Sequence, residues 1–190
     1  MNLVDRLLRR GRKASGRRIG HLAIVAGVSA SGKSSLLDRL RDDPDIRARL
    51  DLPAEPPMVV TAMDLAGLPR TFIPTLVVHY DLMRLIRHDL RAYRDDPALE
   101  ILREAQTVQS IVLAQSPDVL RARLRARFPD RVARERYQWF AEPGFVAERY
   151  IGWFEYWDAV DPGLRHYCVK SDEHYSMFED RAALLSIAGA

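Results

Sequence analysis

Five short runs of nearly continuous apolar residues mark the chain, at positions 21–26, 58–62, 75–80, 110–114 and 166–169. A strand with one wet face alternates apolar and polar residues. Runs rich in Val, Ile and Leu at both parities suit strands covered on both faces, as in a parallel sheet. Between these runs, apolar positions at helical spacing predict helices over 33–41, 82–93, 98–105, 118–127, 131–140 and 145–160. A last helix is expected from Ser176, because Ser176 and Glu179 have capping-box spacing ahead of an apolar run. Strands that alternate with helices predict an α/β fold, a three-layer sandwich around a mostly parallel five-stranded sheet. One link strains this pattern. Only about a dozen residues, with Gly67, Pro69 and Pro74 among them, join the second and third runs. That is short for a parallel crossover, which leaves the second strand either misplaced or antiparallel.

The chain has 190 residues, of which 47% are apolar and 29% charged, a globular composition within reach of one domain. Its longest clean apolar stretch, 22–28, is far too short to span a bilayer, and the first 20 residues lack the apolar core of a secretion signal. A cytoplasmic protein is expected. The single cysteine, Cys168, sits in an apolar run and reads as a small buried hydrophobe. Charge divides the chain more sharply than its net +3 suggests. Residues 1–18 form a basic tail with seven cations (Arg6, Arg9, Arg10, Arg12, Lys13, Arg17, Arg18) against Asp5, whereas 19–190, read as a single domain, has 22 basic and 25 acidic groups. A mildly acidic body excludes a broad nucleic-acid-gripping surface. Within the tail, Leu3, Val4, Leu7 and Leu8 fall at helical spacing among arginines. The segment reads as a solvated terminus, or as one that meets an anionic membrane surface or a protein partner.

The chemistry concentrates in Gly27-Val28-Ser29-Ala30-Ser31-Gly32-Lys33-Ser34, which fits G-x-x-x-x-G-K-[ST] at every fixed position. An apolar strand runs into it and an amphipathic helix continues from it. Small residues let a backbone curl until successive N–H groups converge on one anion, so Gly27, Ser29, Ala30, Ser31 and Gly32 are the candidate cradle. Lys33 is placed to reach β and γ phosphates, Ser34 to ligate Mg²⁺, and Ser35 to add a phosphate hydrogen bond. With its flanking strand and helix, the motif resembles the P-loop NTPases. The small size points to the nucleotide, nucleoside and shikimate kinase-like branch. That resemblance covers scattered parts of residues 20–175, and only the first motif is highly specific. It implies a five-stranded parallel sheet, a loop that binds ATP, and a mobile arginine-rich helical lid, here around 118–145.

Such a site needs an acid. Asp81 ends the third apolar run, on the sheet edge where ligands of open parallel sheets bind, and is the first candidate for Mg²⁺ or the acceptor's proton; it also reads as a helix N-cap. Asp81-Leu82-Met83-Arg84 resembles the acid and arginine that follow the third strand of nucleotide kinases, which implies that Arg84 holds the acceptor. Asp64 resembles the base of shikimate-like kinases by its place after the second run, and equally reads as a turn aspartate. His79 reads as a buried strand histidine. Asp118 to Arg127 resembles a lid-entry pattern, which implies phosphate contacts for Arg123 and Arg127 on one helix face, joined by Arg131, Arg134 and Arg136. Singly, each also reads as a solvated arginine. The crowded aromatics Tyr137, Trp139, Phe140, Phe145, Tyr150, Trp153, Phe154, Tyr156 and Trp157 read as core or interface, or as the wall of an acceptor pocket.

These readings converge on a Mg-ATP-dependent phosphotransferase that acts on a small-molecule acceptor. A nucleotide-dependent switch and a P-loop sulfuryl transferase are the alternatives; no N-K-x-D-like base-reading motif supports a GTPase, and the complete Gly32-Lys33-Ser34 match favours a metal-bound triphosphate.

Overall fold

A computed structural model describes residues 17–130, 138–172, 174–178 and 180–189. Its strands are β1 (Ile19–Gly27), β2 (Met58–Thr61), β3 (Ile73–Asp81), β4 (Ala105–Ala114), β5 (His166–Lys170) and β6 (Met177–Phe178). The helices are α1 (Lys33–Asp42), α2 (Pro44–Arg49), α3 (Arg84–Arg87), α4 (Pro117–Arg127), α5 (Pro143–Val160) and α6 (Arg181–Ala188). The sheet order is β2-β3-β1-β4-β5-β6. The first five strands are parallel and β6 is antiparallel to β5.

All five apolar runs are strands, and the sheet has a sixth that their pattern did not predict. The extra strand lies where a helix was expected from Ser176. There the Ser176 carbonyl accepts from Lys170 N–H at 2.8 Å, which draws the segment back along β5. The helix starts later, at Arg181, and its cap is Asp180, whose carboxylate accepts from Ala183 N–H at 2.7 Å. The doubtful β2 is in place and parallel to β3, with Thr61 opposite His79. Its short connection holds one 3₁₀ turn, Leu65–Gly67, instead of a packed helix.

Two helix expectations fail for local reasons. The helix expected over 82–93 shrinks to the single turn α3, because Asp89 takes a left-handed φ of 53° and the chain then winds through a 3₁₀ turn at Tyr93–Asp95. Pro97 then disfavours helix at Asp96, and the stretch expected as 98–105 is a 3₁₀ helix, Pro97–Glu104, capped by the Asp96 side chain. Of the helix expected over 131–140, residues 131–137 lie outside the described part, and Gln138–Ala141 is a 3₁₀ turn.

Each sheet face carries its own core. On one, Leu36, Leu37 and Leu40 of α1 and Ile46 of α2 cover Val25, Val77, Ile111 and Val169. On the other, Tyr150, Trp153 and Trp157 of α5 cover Val78, Tyr80, Val112 and Cys168. The Tyr80 and Trp153 rings stack with centroids 5.0 Å apart, and the Tyr150 hydroxyl donates to the Leu113 carbonyl at 2.6 Å. Much of the aromatic stripe is therefore core, and Cys168 is buried within it. Arg17 and Arg18, grouped by charge with the tail, are anchored to the body: Arg17 donates to the Ala105 carbonyl at 2.7 Å, and Arg18 pairs with Glu104. Residues 1–16, with Leu3, Val4, Leu7 and Leu8, lie outside the described residues. Among the described residues no helix is long and apolar enough to cross a membrane.

Trp153→Ala is expected to lower unfolding free energy by about 3–5 kcal/mol, because it empties the middle of the α5 core. Ile151→Ala, on the same helix but 39% exposed, is expected to change it by no more than about 0.5 kcal/mol. Urea titrations followed by circular dichroism check both.

Candidate functional site

The loop between β1 and α1 is shaped by two positions that tolerate no side chain. A Cβ on Gly27 would lie 2.5 Å from the Ser31 hydroxyl and 2.7 Å from the Leu113 carbonyl. Gly32 has φ 98°, and a Cβ there would lie 2.0 Å from the Ser171 hydroxyl. Ala30 is also left-handed, at φ 65°. These turns curl the loop into the first turn of α1, the geometry that offers successive backbone N–H groups to an anion. That helix begins with no side-chain cap and no acid in its first turn, so its positive end is left for a ligand.

Lys33 opens α1 and turns back beneath the loop, where its buried ammonium donates to the carbonyls of Gly27 at 2.8 Å and Val28 at 2.6 Å. Burial lowers its pKa to about 8; the charge of Asp81 opposes the shift, and those of Arg87 and Arg127 add to it. β1 and β3 are registered so that Asp81 stands opposite Gly27. Its carboxylate accepts from Met83 N–H at 3.0 Å and from the Ser29 hydroxyl at 3.0 Å, and pairs with Arg87 at 3.1 Å. Burial alone would raise the Asp81 pKa. The Lys33 charge, the Met83 N–H, the Arg87 charge and the Ser29 hydroxyl outweigh it and hold the carboxyl below its ordinary value.

These groups share a cavity of about 770 Å³ at the C-terminal edge of the sheet. Its other walls come from α4, through Arg123 and Arg127, and from the β5–β6 turn, through Ser171, Asp172 and Tyr175. Arg123 spans the two, donating to the Ala30 carbonyl at 3.1 Å and to the Ser171 hydroxyl and carbonyl, each at 3.2 Å. Asp172 shapes the turn by accepting from the N–H groups of His174 and Ser176 at 3.1 and 3.0 Å. Tyr175, at φ 50°, is held there by Arg49, which donates to the carbonyls of His174 and Tyr175 at 3.0 and 3.1 Å. Lys33, Arg87, Arg123 and Arg127 outnumber Asp81 and Asp172 in the lining, so the cavity suits an anion.

Of the candidate residues, Ser29, Ala30, Gly32, Lys33, Ser34 and Ser35 line this cavity together with Asp81, Arg123 and Arg127. Gly27 and Ser31 shape the loop from beneath. Asp64 lies apart: it is exposed and accepts from the Thr61 hydroxyl at 2.6 Å beside its own 3₁₀ turn. Arg84 is also elsewhere. Its guanidinium donates to Asp96 at 2.6 Å, and that fully buried carboxylate also accepts from the Tyr80 hydroxyl at 2.7 Å. The arginine that reaches the cavity is Arg87, one helical turn later, which donates to the Ser29 hydroxyl at 2.7 Å. Nothing local in the sequence says which of two arginines three apart Asp96 will capture. Ser171, Asp172 and Tyr175 were missed too, although a loop after β5 has to emerge on the ligand edge of the sheet. Arg131, Arg134, Arg136 and Tyr137 lie outside the described residues.

No protein-family model matches the chain, and no curated protein matches it. Among solved structures it is similar to the YorR protein of Bacillus subtilis in complex with phosphorylated GDP, at 12% identity over 78% of this chain and 85% of that one, with a TM-score of 0.41. A likeness that weak transfers neither ligand nor reaction.

Two outcomes separate these roles. Arg84→Ala is expected to cost about 3–5 kcal/mol in urea unfolding, because it strands a buried carboxylate, whereas Arg87→Ala, at a half-exposed pair, should cost less than about 1 kcal/mol. For Lys33 the folded pKa lies below the unfolded value of 10.5, so the folded state loses its proton first and stability rises with pH between about 8 and 10.5. Lys33→Met is therefore expected to be more stable than the parent at pH 7, by up to about 3 kcal/mol, and to lose that advantage by pH 10.5. Urea midpoints at the two pH values check the sign.

Proposed function

We propose that the protein is a cytoplasmic Mg-ATP-dependent phosphotransferase that acts on a small-molecule acceptor. The observation that carries this reading is the convergence on one cationic cavity of the curled loop, the Lys33 ammonium, the ionised Asp81 and two arginines of α4. The loop N–H groups and the open end of α1 receive the phosphates of the nucleotide. The Lys33 ammonium, resting on two loop carbonyls, is the charge that meets the β and γ oxygens. The β5–β6 turn, with the largely buried Tyr175 in its wall, forms the end of the cavity toward the nucleoside.

The donors suit Mg²⁺. Ser34 is exposed in the lining and Asp81 is held ionised, two hard oxygen groups of the kind that ion takes. Bound there, Mg²⁺ would neutralise charge on the β and γ phosphates. The protein's own work is positional and electrostatic. Arg123 and Arg127 bring two further charges from α4, and Arg123, already on the Ala30 carbonyl, ties that helix to the loop so that it closes over the phosphates. Asp81 keeps its carboxylate on the loop side through Ser29 and Arg87, where it is available to the ion or to a proton leaving the acceptor.

With γ-³²P-labelled ATP and a pooled metabolite extract, label is expected in an organic product, with slow release of free phosphate when extract is omitted. Lys33→Ala is expected to abolish transfer and to weaken ATP binding at least about tenfold. Asp81→Asn should cut transfer about a hundredfold or more with a much smaller effect on ATP binding. Label that appears only in free phosphate, from the parent and with every extract, would replace this reading with a nucleotide-dependent switch.

A further inference from the structure

One polar side chain in the cavity wall has no part in the roles above. His79 lies two residues before Asp81 on β3, so the two side chains leave the sheet on the same face, the one that α1 covers. Its Nε2 is sealed from solvent and has no hydrogen-bond partner among the described residues. The strand neighbours offer none. Opposite it on β1 stands Val25, and opposite it on β2 stands Thr61, whose hydroxyl is given to Asp64. The charged groups around it are all committed: Lys33 to the loop carbonyls, Asp81 to Met83, Ser29 and Arg87, and Arg87 to Asp81 and Ser29. The ring lines the cavity, so a turn of the imidazole that brings this unpaired nitrogen to the cavity side lets a ligand complete its bonding.

Its position says which ligand. The cavity runs along the sheet edge, with α4 and the β5–β6 turn on one side of β1 and β3 on the other. Lys33 stands between, near enough for its charge to act on both Asp81 and His79. A triphosphate seated on the loop, with its nucleoside toward the β5–β6 turn, therefore points its terminal phosphate toward β3. Whatever accepts that phosphate has to enter beside His79. We propose that His79 is an acceptor-binding residue whose imidazole hydrogen-bonds an uncharged polar group, a hydroxyl, of the molecule to be phosphorylated. The inference rests on the phosphotransferase reading. An anionic handle on the same molecule would go to Arg87, whose side chain is 48% exposed. An imidazole gives one donor and one acceptor on fixed ring positions, so an analogue without the matching hydroxyl leaves the ring unpaired and is rejected.

The test compares the parent with His79→Leu, His79→Asn and His79→Gln; Asn places an amide near the Nδ1 position and Gln near Nε2. Each is assayed for ATP binding by calorimetry, for its urea midpoint, and for ³²P transfer from γ-labelled ATP at subsaturating metabolite extract. His79→Leu is expected to lower labelled product at least about tenfold, with ATP affinity within about twofold of the parent, and one of the two amides should restore most of the loss. Equal labelling by His79→Leu and the parent would overturn the inference and leave the phosphotransferase reading intact. A loss of ATP affinity as large as the loss of transfer would also overturn it, by assigning His79 to the nucleotide side. No organic label from the parent itself would sink the phosphotransferase reading, and this inference with it.

Discussion

An ammonium taken out of water at the end of a β-strand is unfavourable unless oxygen atoms surround it, and much of the site is arranged around that requirement at Lys33. The nearest oxygens are the carbonyls of Gly27 and Val28, which the lysine reaches only if the chain reverses between β1 and α1. That reversal puts Ala30 and Gly32 in left-handed conformations and brings the loop so close to Leu113 and Ser171 that neither Gly27 nor Gly32 has room for a Cβ. The opposing carboxylate, Asp81, follows from the register of β3 against β1, which sets it across from Gly27. One buried charge thus ties together the loop, the first turn of α1 and the ends of two strands.

The other charges come from distant parts of the chain and are sorted by packing. Arg84 and Arg87 sit on the same short helix with the same chemistry, yet one is spent on a buried carboxylate and the other faces the cavity. Asp96 makes that choice. It is buried by the 3₁₀ segment it caps, and a buried carboxylate needs a cation more than an exposed cavity wall does. On the far side, Arg123 reaches the loop and Ser171 together, so the β5–β6 turn is coupled to the β1–α1 loop through one guanidinium. The cavity that results is positive although residues 19–190 carry a net negative charge.

The aromatic residues show how a surface pattern can carry two meanings. Their spacing on α5 suited both a core stripe and a pocket wall. Tyr150, Trp153 and Trp157 turn onto the sheet, where β3, β4 and β5 present Tyr80, Val112 and Cys168 on that face. The cavity at the sheet edge is lined instead mainly by short polar side chains, Lys33 and arginines.

Five strand segments, four of them with their parallel setting, the helices 33–41, 118–127 and 145–160 in outline, and the glycine-bearing loop between β1 and α1 were legible along the chain, because each depends on neighbours within a few residues: β-branched runs, helical periodicity, and two glycines at fixed spacing before a lysine and a serine. Asp81 was legible for the same reason, as the polar residue that ends an apolar strand. What the tertiary structure decided depends on partners far away in sequence. The sixth strand exists because Lys170 and Ser176 pair, which Ser176 and Glu179 by themselves do not reveal. Asp64 stands outside the cavity because β2 is an edge strand whose following turn is closed by Thr61. Arg87 replaces Arg84 through a carboxylate twelve residues downstream of Arg84, and Tyr175 enters the wall through Arg49, 126 residues before it. Local periodicity fixes which elements form; which polar groups meet at the end of the sheet is set by strand order and by competition between buried charges, and neither is written in any one segment of the chain.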